Sequence, residues 1–410
     1  MKERAILHCD ANCFYASVET VLNPALRGKA VAVCGSTEER HGIVLAKSEL
    51  AKKAGVKTGA ATWQAKECCP NLIVVPPQYE YYVLFSKHLF RIYQRYTDQV
   101  EPFGMDECWL DVTNTPRPPM EIAEEIRQAV KDELGLTISI GVSFCKVFAK
   151  LGSDMKKPDA ITEITRENFR EKVWSLPCAD LFFCGRATTE KLRRMCIKTI
   201  GRLAKLPLEL VQGRFGKNGL TLWRYANGLD DSRVANENYR APAKSVGHGI
   251  TCQADLHNEE EAYKVIIALS QDIGYKLRLM NLRATGVSLV VVDNKFSGQC
   301  WQESLFVPTQ DEAEIASVAY QILKKQYVWR NSIRKLTVTA INLESAELPT
   351  QLLLFFDHEK AEKKHRLNLS VDSIRNRHGK RSILPAVIMD ETQVAMYAER
   401  ELTMPGHMYE

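Results

Sequence analysis

Two adjacent carboxylates, Asp106 and Glu107, stand between the largely apolar stretch Val100 to Met105 and the alternating stretch Cys108 to Val112. Hydrophobic runs on both sides of a short polar break predict a β-hairpin with the acids at its turn, where burial is costly without a cation. A third acid, Asp10, ends the apolar run Ala5-Ile6-Leu7-His8-Cys9 and precedes a predicted helix, so it too falls at a strand end. Three carboxylates on neighbouring strand ends suit two Mg²⁺ ions that hold a triphosphate for in-line displacement. Taken singly, an Asp-Glu pair in a turn more often describes a solvated hairpin tip. The residues around the acids therefore have to decide.

A chain of 410 residues has room for two to four domains, and 45% hydrophobic content is ordinary for globular cores. The formal charge of +5 suits a nucleic-acid partner if the 55 Lys and Arg cluster, and equally a protein without one. The 12 cysteines show no paired Cys-x-x-Cys spacing and Cys68-Cys69 are adjacent, which fits neither a disulfide framework nor a zinc site. Reduced thiols are expected. Lys2, Glu3 and Arg4 lead straight into the first apolar run without a signal-like segment, and no stretch approaches the roughly 18 apolar residues of a membrane span. A cytoplasmic protein with no membrane partner is the expectation.

Residues 1 to 165 alternate predicted strands (5–10, 30–33, 72–75, 99–103, 109–112, 137–142) with predicted helices (13–22, 48–54, 62–69, 80–96, 120–134), an α/β pattern. From Arg166 to Asp231 the pattern becomes short helices punctuated by Pro177, Pro207 and several glycines. Asp230, Asp231 and the polar segment Asn236 to Lys244 read as a linker. Beyond it, strands 245–252, 283–292, 301–308 and 335–343 with helices 259–279 and 311–326 predict a separate α+β domain, and the charged segment Asp357 to His378 predicts a helix.

Two segments carry a family resemblance. Asp10-Ala-Asn-Cys-Phe-Tyr-Ala-Ser-Val-Glu19 and Met105-Asp-Glu-Cys-Trp-Leu-Asp-Val-Thr113 resemble the two palm motifs of the Y-family translesion DNA polymerases of the DinB and UmuC type. The resemblance implies a multidomain right-hand polymerase of α/β and α+β parts. Its palm would take residues 1–10 and 77–165, its fingers 11–76, a helical thumb 166–231, a linker 232–244, an α+β little finger 245–345, and a clamp-binding motif and charged tail 346–410. It implies a bacterial, monomeric enzyme that adds dNTP to the primer 3′-hydroxyl of primer-template DNA, copying damaged templates with low fidelity.

On the same basis Asp10, Asp106 and Glu107 are the catalytic carboxylates and bind two Mg²⁺ ions, with the main-chain carbonyl of Ala11 as a further oxygen. Asp111 fits a structural role better. Cys13, Phe14 and Tyr15 would lie at the nucleotide, with Tyr15 as the steric gate that a ribose 2′-hydroxyl strikes. An aromatic on the core face of a helix is the plainer reading of such a residue, and it describes Phe14 or Val18 better than Tyr15. Lys157, in Ser153-Asp-Met-Lys-Lys-Pro158, matches the lysine that reaches the triphosphate, while Lys156 reads as a solvated charge; the matching block Ser139 to Lys150 fixes the register.

The family also offers a Tyr and an Arg, three residues apart, to the β and γ phosphates. Counting back from Gly55-Val56 puts Lys52 at the Arg and Glu49 at the Tyr, or Ser48 with a one-residue insertion; Lys supplies charge without the bidentate fork. Small residues Ala46, Gly59 and Ala60 would leave an open roof over the templating base. In the thumb, Leu181 to Leu192 followed by Ile197 to Ala204 resembles a helix-hairpin-helix that aims backbone N–H groups at phosphate. Only Gly185 remains of its first glycine pair, with Phe183 in the other place and Cys196 where a glycine commonly precedes Ile197. Gly185, Lys244, Arg278, Arg283 and Lys335 are the candidates for DNA contact, against the plainer reading of Lys and Arg as solvated charges.

Gln351-Leu-Leu-Leu-Phe-Phe356 resembles the Gln-Leu-x-Leu-Phe peptide by which bacterial polymerases dock on the sliding clamp, with Gln351, Leu352, Leu354, Phe355 and Phe356 as contacts. A buried strand is the alternative there. For the whole chain, a catalytically inactive accessory protein that binds DNA and clamp is the rival reading. An intact carboxylate set argues against it, because unused clustered charges only destabilise a fold. A nucleotide cyclase sharing the palm would leave the thumb and the clamp peptide without purpose.

Overall fold

The computed structural model describes residues 3–37, 42–239, 241–349 and 357–389. They divide into two compact units, residues 3–35 with 43–239, and residues 36–37, 42, 241–349 and 357–389.

In the first unit the strands are β1 (Ile6–Ala11), β2 (Val31–Cys34), β3 (Val44–Lys47), β4 (Ile73–Val75), β5 (Val100–Pro102), β6 (Glu107–Asp111), β7 (Ile138–Ser143) and β8 (Ile161–Ile164). Between and after them run α1 (Phe14–Leu22), α2 (Glu49–Lys53), α3 (Thr62–Cys68), α4 (Tyr79–Tyr93), α5 (Pro119–Leu134), α6 (Lys146–Met155) and α7 (Phe169–Val173). Two sheets result, one ordered β5-β6-β1-β7-β8 and a smaller one ordered β3-β2-β4. β1 is buried along its whole length and pairs antiparallel with β6 on one side and β7 on the other. The hairpin expected around Asp106 and Glu107 is formed by β5 and β6.

β3, α6 and β8 go beyond the sequence reading. α6 shows why: its first turn is capped from far away in the chain, the Val147 N–H donating to Asp230 Oδ2 at 3.1 Å, which no local pattern announces. It also lies unusually close to the sheet. A Cβ on Gly141 of β7 would stand 1.8 Å from the Ala149 carbonyl oxygen, so only glycine lets α6 settle there.

α8 (Arg186–Arg194), α9 (Ile200–Ala204) and α10 (Leu208–Ala226) complete this unit around a core that includes Phe148, Leu192, Ile200 and Leu222. Phe183 and Cys196, which stand in place of glycines, adopt φ of 65° and 60°. The left-handed backbone is kept there without the glycine that usually supplies it, at roughly 1–2 kcal/mol each. The segment expected as a linker from 232 is, up to residue 239, part of this unit. Val234 is 3% exposed and clusters with Ile6, Trp109 and Ala149, and the Ala235 N–H donates to Glu101 Oε2 at 2.8 Å.

The second unit is an antiparallel sheet of β9 (Ser245–Leu256), β10 (Leu282–Asp293), β11 (Gly298–Thr309) and β12 (Ile333–Ser345), ordered β11-β10-β12-β9. Helices α11 (Glu259–Leu279) and α12 (Glu312–Gln326) pack on Ile250, Leu289, Val291, Leu336 and Val338. The predicted charged helix is α13 (His358–His378), and its partner corrects one expectation. Arg278 is not a surface cation: its side chain is 3% exposed, with Nε 2.6 Å from Asp372 Oδ2 and Nη1 2.7 Å from Glu312 Oε2. Both acids come from helices distant in the chain, so nothing near Arg278 in sequence signals that this charge is consumed. Arg283 is likewise engaged, by Glu344 at 2.8 Å and the Leu348 carbonyl at 3.0 Å, whereas Lys244 and Lys335 are exposed. The Gln351 to Phe356 motif lies outside the described residues.

Removing Asp372 would leave the Arg278 guanidinium buried with half its partners. Asp372→Ala is expected to cost about 3–5 kcal/mol in urea denaturation of the full chain; an unchanged midpoint would mean that α13 contributes nothing to this unit.

Candidate active site

The pairing of β1 with β6 sets Asp10 opposite Glu107 and His8 opposite Trp109. Residues two apart on one strand and directly opposite on the next share a face, so His8, Asp10 and Glu107 lie on the same side of the sheet. Asp106 immediately precedes β6, and its carbonyl accepts from the Ala11 N–H at 3.0 Å, which ties the hairpin turn to the end of β1. The three predicted carboxylates thus meet at one end of the central strands.

Their electrostatics follow from burial. Desolvation pushes Asp10 up to about 6 against the lowering pull of Lys157. Asp106 is pushed up to about 7, first by burial and then by the charges of Asp10 and Glu107. Two lysines answer this concentration of negative charge. Lys157 Nζ lies 2.7 Å from Asp10 Oδ2 and 2.8 Å from Asp154 Oδ1, and Lys150 Nζ pairs with Glu107 Oε2. Lys150 was absent from the sequence reading except as part of a matching block, although it sits one helical turn before Asp154 on α6. As the side chains stand, no three carboxylate, imidazole or thiolate groups among the described residues close into a metal-binding cluster. The donor set nevertheless fits a hard divalent cation: three carboxylates at adjoining strand ends, two of them raised by burial and held in search of positive charge.

The chain leaves β1 through Cys13, whose φ of 51° and ψ of 41° turn it sharply into α1. This turn decides what the next two aromatics do. Phe14 points into the core, 4% exposed, so its side chain is not presented to a nucleotide. Tyr15 stays partly exposed, stacked on Tyr82 with ring centroids 4.2 Å apart and 10° between planes, and its hydroxyl reaches Met105 Sδ at 3.2 Å. Tyr82 is itself fixed, its hydroxyl donating to Glu19.

The other predicted positions divide. Ser48 caps α2 by accepting from the Ala51 N–H, Glu49 Oε1 receives the Cys13 thiol at 3.2 Å, and exposed Lys52 lies 3.5 Å from the same Glu49 oxygen. Asp111 Oδ1 accepts from the Thr113 N–H at 2.9 Å, a turn contact in keeping with a structural role. Gly185 is exposed and is the N-cap of α8.

Comparison with known proteins places this geometry. Residues 9–154 match the model of the impB/mucB/samB family, 243–354 its C-terminal domain, and 180–230 the thumb domain of DNA polymerase-iota. DNA polymerase IV of Acetivibrio thermocellus is 45% identical over 392 residues, covering 95% of this chain and 98% of that one. DNA polymerase IV 2 of Bacillus subtilis is 34% identical over 420 residues, covering 99% of each. A solved Y-family DNA polymerase chimera shares the fold with a TM-score of 0.74 at 21% identity, covering 83% of this chain and 99% of that one. The chain belongs to the bacterial Y family of translesion DNA polymerases, of the DinB type.

The raised carboxyls make the folded chain bind protons more tightly than the unfolded one. Both folded values, about 6 and about 7, lie above the ordinary 3.8, so this stabilisation is full below that value and is lost as pH rises through the folded ones. In metal-free buffer the thermal midpoint is expected to fall across this interval, with Asp106→Asn flattening the fall and melting higher than wild type at pH near 8. An unaltered pH profile in Asp106→Asn would contradict the burial of that charge.

Proposed function

We propose that this DNA-directed DNA polymerase works by nucleotidyl transfer from dNTP to the primer 3′-hydroxyl with two Mg²⁺ ions held by Asp10, Asp106, Glu107 and the Ala11 carbonyl. The observation that carries the reading is the meeting of three carboxylates at one strand end, beside Lys157 and a stacked Tyr15. When bound, the ions would lower the pKa of the 3′-hydroxyl and offset charge on the departing pyrophosphate. The remaining work falls to the chain itself. Lys157, released from Asp10, offers its ammonium to the triphosphate. Tyr15, backed by Tyr82, fills the space that a ribose 2′-hydroxyl would need. Lys52 extends a second positive charge from α2, tempered by Glu49.

In this reading residues 1–10 and 77–165 are the palm, 11–76 the fingers, 166–231 the thumb and 245–345 the little finger. Small Ala46, Gly59 and Ala60 leave the roof over the template open, which admits distorted bases and lowers fidelity. Gly185, Lys244 and Lys335 contact the DNA backbone. The Gln351 to Phe356 peptide tethers the enzyme to the sliding clamp, and a monomer in the cytoplasm is the working form. Among the described residues no helix is long and apolar enough to cross a membrane.

Tyr15→Ala should increase ribonucleotide incorporation in primer extension by roughly tenfold or more; unchanged sugar discrimination would remove Tyr15 from the gate. Deleting residues 351–356 should spare distributive synthesis and abolish stimulation by the clamp. Stimulation that survives the deletion would assign the tether elsewhere.

A further inference from the structure

The mechanism above leaves a buried polar ring unused. His8, in the central strand β1, is 0% exposed and sets its edge against Trp109 with ring centroids 5.1 Å apart. Its Nδ1 lies 2.8 Å from Ser153 Oγ on α6, and that hydroxyl donates to the Lys150 carbonyl at 2.7 Å. The contact with Ser153 thereby fixes the plane of the ring. Nε2 is shut off from solvent and turned toward Glu107 Oε2 at 3.5 Å. A buried imidazole is costly unless its nitrogens find partners, and packing alone would be served by an apolar side chain of the same size.

We propose that His8 is a positioning residue for Glu107, with Ser153 holding the ring in place. The ring closes the interior side of the carboxylate. Nε2 of the ring and the Lys150 ammonium converge on the same Oε2, and the two contacts keep Glu107 turned to the strand end where Asp10 and Asp106 stand. α6 thus acts on the site at three places within about one turn: Lys150 on Glu107, Ser153 on His8, and Asp154 on Lys157. The inference rests on the reading of Glu107 as a metal ligand. Partners that orient a ligand without touching the metal typically matter by about 10–100-fold in metal affinity or activity.

The test uses the full chain with a dideoxy-terminated primer-template and dNTP, so that no chemistry occurs, and follows tryptophan fluorescence during Mg²⁺ titration. His8→Phe keeps the ring and removes both nitrogens; Ser153→Ala frees the ring with the smallest change in packing. Both should shift the Mg²⁺ midpoint upward, His8→Phe by about 10–100-fold and Ser153→Ala less, and lower kcat in extension with unterminated primer while DNA affinity is retained. A wild-type Mg²⁺ midpoint and kcat in folded Ser153→Ala and His8→Phe would overturn the assignment and leave His8 as core packing. If His8→Phe fails to fold, the Ser153→Ala midpoint decides alone. Absence of any Mg²⁺ response in the wild type would instead overturn the metal-ligand reading itself.

Discussion

The antiparallel pairing of β1 with β6 concentrates negative charge where the fold can least tolerate it. Asp10 faces Glu107 across that pair and Asp106 precedes it, so three carboxylates end up against a sheet whose central strand is wholly buried. Everything around the site answers this one electrostatic difficulty. Two lysines from α6 and the turn after it reach the outer carboxylates, and α6 can deliver them because Gly141 lets it lie almost on the backbone of β7. A site under such stress is poorly suited to stability and well suited to gathering divalent cations, a trade that recurs where function opposes folding.

Much of this was legible in the sequence because the signals were local. The run ending at Asp10, the break at Asp106 and Glu107, and the helices from α1 to α5 follow from hydrophobic period and from where it stops. Family resemblance added the expected roles of Tyr15 and Lys157; Lys157 pairs with Asp10, and the Tyr15 hydroxyl reaches Met105 beside Asp106. Phe14 and Tyr15 illustrate how fine the local determinant is. One left-handed residue, Cys13, sends the first into the core and leaves the second partly exposed.

What was not legible depends on partners remote in sequence. The cap of α6 comes from Asp230, and the charge of Arg278 is consumed by Glu312 and Asp372, so neither could be read from its neighbours. Val234 belongs to a core cluster with Ile6 and Trp109 although its surroundings read as a polar linker. His8 carried a usable signal that went unread: it stands two residues before Asp10 on one strand, and the period of two puts it on the same face as the carboxylates. Phe183 and Cys196 show the converse, a backbone conformation kept while the residue type that usually demands it has changed.

The most direct test of the account is Mg²⁺-dependent primer extension on undamaged and abasic templates, comparing wild type with Asp106→Ala at matched DNA affinity. The account predicts extension on both templates by the wild type and loss of extension in the variant with DNA still bound. Extension by the variant at the wild-type rate, or none by the wild type on either template while DNA and clamp still bind, would contradict the claim that these carboxylates form the catalytic centre of a polymerase.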